Sequence, residues 1–114
     1  MTFEKVRQAA LKLPDVEETT AWGFPCFKVK KKMFLFFRAD LGAVAFRSTF
    51  DQRDSMIEED PETYFTTDHH RPAPWVLTRI TKLTASAVPD LLQAAWRHGL
   101  SESKKGKKKS PAWS

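Results

Sequence analysis

Between Cys26 and Arg47, bulky apolar side chains are interleaved with cations and punctuated by turn residues, a pattern that calls for consecutive antiparallel hairpins. In Phe27-Lys28-Val29-Lys30 the apolar residues fall at every second position. A pleated strand therefore sends Phe27 and Val29 to one face and the two lysines to the other. Lys31-Lys32 marks the first hairpin tip, and because lysine disfavours the positive φ of a tight two-residue turn, a looser tip is expected there. Met33 to Arg38 continues as a strand, Asp40-Leu41-Gly42 turns with Gly42 free to take positive φ, and Ala43 to Arg47 returns. The run Met33-Phe34-Leu35-Phe36-Phe37 breaks the alternation. With Met33, Leu35 and Phe37 turned to the core, Phe34 and Phe36 point the opposite way and need cover from the chain's own loops, a second subunit, a ligand or stacked bases.

The flanking segments supply helices. Phe3, Val6, Ala10 and Leu13 recur at helical steps and Pro14 stops them, which predicts a helix over about 2 to 13. Glu17 to Ala21 reads as a short extended segment, with Gly23 and Pro25 bracketing a turn. Ser48, Thr49 or Asp51 caps a short helix anchored by Met56 and Ile57 and ended by Asp60-Pro61. Tyr64-Phe65 is a brief strand, His69 to Pro74 a loop, and Trp75 to Ile80 another strand. Val88, Leu91, Leu92, Ala95 and Trp96 make the clearest helix, with Pro89 near its start, Ser86 as its cap and Gly99 as its stop. The sum is an α+β domain over 1–100, an antiparallel sheet of about five to six strands with helices packed on one face. Residues 101–114 have little to bury and are expected to form a disordered lysine-rich tail.

A chain of 114 residues builds one core, and no apolar run reaches the ~20 residues of a membrane span. The first residues lack the apolar stretch of a signal peptide, and a lone cysteine, Cys26, makes no internal disulfide. A cytoplasmic protein is the expectation. The net charge of +5 is mostly in 101–114, where five lysines and Glu102 give +4 and leave 5 − 4 = +1 for the rest. The body is polarised instead: residues 26–50 hold six bases and one acid, residues 51–63 six acids and one base, Arg53. Such a surface steers an anionic partner to one side, or pairs with itself in the fold.

Taken in order, the first helix, the Trp22-Gly23-Phe24-Pro25 turn, Phe27-x-Val29, Lys32 at the hairpin tip, Asp60-Pro61, Trp75-Val76 and the last helix with Trp96 resemble the MmcQ/YjbR family over about residues 1 to 100. The resemblance implies a CyaY-like fold and a double-wing type of DNA binding, with the hairpins around Lys30 to Lys32 and Asp40 to Gly42 as the wings. The chain departs from the family at Lys31 and Pro74, where a glycine is frequent. Frataxin-type iron binding is not implied, because residues 1–25 carry four acids and three bases, without the acidic helix such binding uses.

The functional expectation is a non-catalytic nucleic-acid-binding protein, DNA first, contacting phosphates through Lys28, Lys30, Lys31, Lys32, Arg38, Arg47, Arg79 and Lys82. No helix carries the Asn, Gln or Arg array of groove readout, so weak sequence specificity is expected. The competing reading makes the lysines a protected sheet edge and places a small molecule or partner protein on an aromatic groove of Trp22, Phe34, Phe36 and Trp75. Cys26 with His69, His70 and His98 matches neither a zinc spacing nor a nucleophile signature, so no metal, cofactor or catalytic constellation is expected. The chain is expected to be a monomer or homodimer.

Overall fold

The computed structural model describes residues 1–101 with their side chains and residues 102–108 as helix backbone. The expectation of a disordered tail over 101–114 therefore falls almost wholly outside the described side chains, and residues 109–114 lie outside the description altogether. The elements run α1 (Phe3–Leu11), β1 (Val16–Ala21), β2 (Phe24–Val29), β3 (Lys32–Arg38), β4 (Ala43–Arg47), α2 (Phe50–Glu59), β5 (Tyr64–Phe65), β6 (Trp75–Arg79) and α3 (Val88–Lys108). All six strands join one antiparallel sheet in the order β1-β2-β3-β4-β6-β5.

Local chemistry accounts for most of these boundaries. The Thr2 hydroxyl accepts the Lys5 N–H at the start of α1, and Thr49 does the same for Gln52 at the start of α2. Gly42 takes φ +61 after the short 3-10 turn Ala39–Leu41 and lets β4 begin. Two hairpin tips contradict their residues. Lys30 and Lys31, not Lys31 and Lys32, form the β2–β3 loop, at φ 48 and 71, with Val29 paired to Lys32 on either side. Trp22 and Gly23 close β1–β2 in the same way at φ 54 and 80. Both are tight two-residue turns of the I′ pattern, whose backbone matches strand twist, and that match overrides the poor fit of lysine and tryptophan.

The main core lies between the sheet and α1 and α3. Val6 and Ala10 from α1 and Val88, Leu92 and Ala95 from α3 pack on Phe27, Val29, Leu35, Phe37, Val44, Phe46 and Val76. A β-bulge changes the parity of β3. Phe27 pairs with Leu35 but Lys28 pairs with Met33, so Phe34 is the added residue. Phe34 thereby joins Leu35 and Phe37 in the helix-side core, fully buried, while Met33 turns to the other face with Phe36. The expectation that Phe34 and Phe36 share the outer face is corrected accordingly. Gly99 is corrected too: it does not stop α3, which continues to Lys108. A Cβ there would lie 2.9 Å from Val29 Cγ1 and 3.0 Å from Phe34 Cβ, so this glycine lets the helix approach the bulge.

Candidate binding groove on the open face of the sheet

Directly paired residues in antiparallel strands project to the same side, so the registers determine what the face away from α1 and α3 carries. Beside the buried patch of Cys26, Phe36, Ala43, Ala45 and Leu77 lie Phe65 and Trp75. Following the pairs outward adds Lys28 (with Met33 and, on β1, Glu17), Arg38 (with Ala43), Arg47 (with Trp75) and Arg79 (with Ala43). Trp22 on one side and the loop over residues 66–74 on the other raise walls beside this face. The resulting cavity has a volume of about 870 Å³.

Aromatic rings form its floor and side. Phe36 meets Trp75 edge-on at 4.8 Å and His70 at 5.6 Å, and Trp22 stands edge-on to Phe36 at 6.3 Å. One guanidinium lies at each end of the groove: Arg38 over the Phe24 ring at 5.1 Å, and Arg47 over Trp75 at 5.7 Å. Among the described residues, none of those lining the groove is a carboxylate. Arg38 makes two bonds to the Asp40 carboxylate, at 2.9 and 2.8 Å, and its hydrogen bonds hold that carboxyl below the usual range. Its remaining contact is 2.7 Å from His70 Nε2. Arginine can only donate, so that nitrogen accepts and His70 is neutral. Burial, reinforced by the Arg38 charge, pushes the His70 pKa down, in agreement with that assignment.

The loop wall is anchored from behind. Arg53, almost fully buried on α2, donates from Nη1 to the carbonyls of Arg71 (2.8 Å) and Ala73 (3.0 Å). Its guanidinium also meets Asp54 at 3.0 Å and lies over the Phe50 ring. Within the loop, Thr67 accepts the His70 N–H through both its carbonyl and its hydroxyl. None of this was read from the sequence, although an arginine alone in the acidic 51–63 segment was a signal that it does something its neighbours do not.

The sequence-derived cations divide into groups. Lys28, Arg38, Arg47 and Arg79 share the open face, the last over the Phe65 ring at 4.2 Å. Lys32 pairs with Val29 and so belongs to the helix side. Lys30 and Lys31 are exposed at the tip, Lys30 with Asp15 at 3.5 Å, and Lys82 lies apart with Glu62 at 3.8 Å. Among the described residues Lys28, Lys31 and Lys32 make no ion pair. Of the aromatic set, Trp22, Phe36 and Trp75 come together and Phe34 does not. Phe24 and His70 complete the groove without having been foreseen.

The chemistry offered is recognition by stacking and charge. The Cys26 thiol is fully buried, and burial pushes its pKa up, away from the reactive thiolate. Among the described residues no group of three His, Cys, Asp or Glu stands close enough to hold a metal ion. Nor is any described helix long and apolar enough to cross a membrane.

A family model described as YjbR matches residues 11–98. The crystal structure of Deinococcus radiodurans protein DR2400, which carries the domain DUF419, is similar with a TM-score of 0.72 over 90% of this chain and 88% of that one. At 15% sequence identity this likeness concerns the fold alone. None of the curated proteins matches the chain.

Proposed function

The chain belongs to the YjbR family, and we propose that it is a non-catalytic nucleic-acid-binding protein, with DNA as the first partner to test, that contacts phosphates from the open face of its sheet. The observation that carries this reading is the co-facial placement of Lys28, Arg38, Arg47 and Arg79 on four neighbouring strands around an aromatic groove whose described lining residues include no carboxylate, with Glu17 opposite Lys28 in register and Asp40 paired to Arg38. Clustered cations release condensed counterions when they meet phosphates, which drives binding without regard to sequence. The exposed Lys30-Lys31 tip extends the same surface beyond the groove. The two readings of the sequence, basic and aromatic, thus meet on one face.

The test is a titration of duplex and single-stranded oligonucleotides against the full chain at several salt concentrations. Two variants accompany it: Lys28/Arg47/Arg79→Gln, and replacement of the five lysines at 104, 105, 107, 108 and 109 by Gln. Binding should survive the second change and weaken with the first. Each lost phosphate contact should lower the salt slope by about 0.9 on duplex or about 0.7 on single strands. Binding that disappears with the five distal lysines and ignores the face variant defeats the reading. The cavity volume, inside the ~300–1,000 Å³ range of small-molecule sites, favours a second reading in which a compact apolar ligand fills the groove. A dye that binds there while no oligonucleotide competes would decide for it.

A further inference from the structure

Resting on that reading, we infer that the groove accepts the face of an unpaired nucleobase, so that the favoured partner is single-stranded rather than duplex nucleic acid. In a duplex the flat faces of the bases are hidden in the stack and only their edges reach the grooves. A recess in which Trp75 is half-buried, with Phe36 almost fully buried beside it and Trp22 standing exposed at its margin, offers nothing to such a rod. It suits a base that has left the stack, because every base has a π-face and stacking on aromatic side chains is tolerant of sequence. The guanidiniums of Arg38 and Arg47 lie at the two ends of the same groove, where the phosphates on either side of an inserted base would run.

Trp22 supports the inference independently. It is 78% exposed, the most exposed of the large hydrophobic residues described, and it holds φ +54, a conformation costly for a bulky side chain. Burial does not explain such a residue, since most of its surface is in solvent and its ring meets Phe36 edge-on with centroids 6.3 Å apart. An exposed ring kept in a strained position beside an aromatic floor is arranged to close over something flat. Two arginines, Arg38 and Arg47, are among the groove's described lining residues, and Asp40 outside the lining pairs with Arg38.

The experiment measures anisotropy with the full chain, using labelled oligodeoxythymidylate, a duplex of equal length, and linear polyphosphate as an unlabelled competitor that has charge but no bases. Binding of the single strand should be at least tenfold tighter than that of the duplex, and polyphosphate should compete poorly at equal phosphate concentration. Trp22→Gly, which removes the ring and also relieves the backbone, should weaken single-strand binding about tenfold and leave duplex binding unchanged, while Trp22→Phe recovers most of the loss. Equal or tighter duplex binding, indifference to Trp22→Gly, or displacement by polyphosphate phosphate for phosphate would overturn the inference and leave the charge-driven function standing. Failure of both oligonucleotides to bind would overturn the two together.

Discussion

The same strands present two unlike faces. Toward α1 and α3 they carry Phe27, Val29, Leu35, Phe37, Val44 and Phe46, all buried and packed into one continuous core. Away from the helices they carry a smaller buried cluster of Cys26, Phe36, Ala43, Ala45 and Leu77 beside half-buried Phe65 and Trp75, with cations at the margins. The helix side is filled to the point that Gly99 is needed for clearance. The open side has a cavity beside that smaller cluster, bordered by a loop held by Arg53, by the Ser48 N–H on the Pro74 carbonyl and by Arg38 on His70. Close packing supplies stability, whereas a hollow lined with rings and guanidiniums supplies little stability and a place to bind.

The largest expected effect compares two phenylalanines two residues apart. Phe34→Ala should cost about 3–5 kcal/mol, since Phe34 lies in the closed core with Gly99 against it and the cavity it leaves cannot collapse. Phe36→Ala should cost less, because the space it leaves opens onto the groove and solvent can enter. Urea midpoints of the two variants measure the difference. Equal losses would mean that the open face is as much a core as the other.

Next comes Arg53, which joins the fold to the groove. Arg53→Met keeps much of the side chain's bulk but leaves the Arg71 and Ala73 carbonyls without their donor. A cost of about 1–3 kcal/mol is expected from such orphaned groups. Amide exchange should quicken over residues 66–74 and hardly at all in α1. Uniform acceleration across the sheet would show that the loop is part of the core and not a separate wall.

The acid response should draw on His70 in the groove and on His98 in α3. His70 and His98 both have pKa values held below 6.5, by burial first and then by Arg38 and Arg47 respectively. Asp40 pulls His70 the other way, but it is already paired with Arg38. Between the lowered folded value and the ordinary one, the unfolded chain binds more protons, so folding stability rises with pH. Stability is therefore complete above about pH 6.5, falls as pH drops through that value, and levels off once the folded pKa is passed. Urea midpoints at pH 7.5 and 5.5 should differ in that direction, and His70→Gln should remove part of the difference and the acid-induced loosening of 66–74. No change on His70→Gln would exclude His70 as a source of the pH dependence.

What the sequence revealed follows from the range of the interactions involved. The alternation in Phe27-Lys28-Val29, the Thr49 cap, Gly42 at positive φ and the brief Tyr64-Phe65 strand are local matters, legible within a few residues. The bulge at Phe34 is not, because it depends on how Phe27 and Lys28 meet the neighbouring strand. For the same reason the sequence pattern groups Phe34 with Trp22, Phe36 and Trp75, whereas in the structure the last three line one cavity and Phe34 lies in the helix-side core. Gly99 looks like a helix stop until Val29 and Phe34 are seen against it. Arg53, the loop and His70 are brought together only by long-range contacts.

The smallest effect reverses the usual sign. Asparagine tolerates positive φ far better than tryptophan, and Asn-Gly is the preferred pair for a type I′ turn, so Trp22→Asn rebuilds the β1–β2 tip with suitable residues. Little burial is lost from a side chain so exposed. The variant should be more stable by a few tenths to about 1 kcal/mol, measured as a rise in urea midpoint with unchanged slope. The matching change on the second tip, Lys30/Lys31→Asn/Gly, should act in the same direction through the same geometry. A chain that would gain stability by giving up Trp22 keeps it at a cost, and the open face is where that cost has a use. Should Trp22→Asn instead destabilise the fold, the ring belongs to the packing after all, and the contrast between a closed face for stability and an open face for binding would have to be redrawn at the β1–β2 tip.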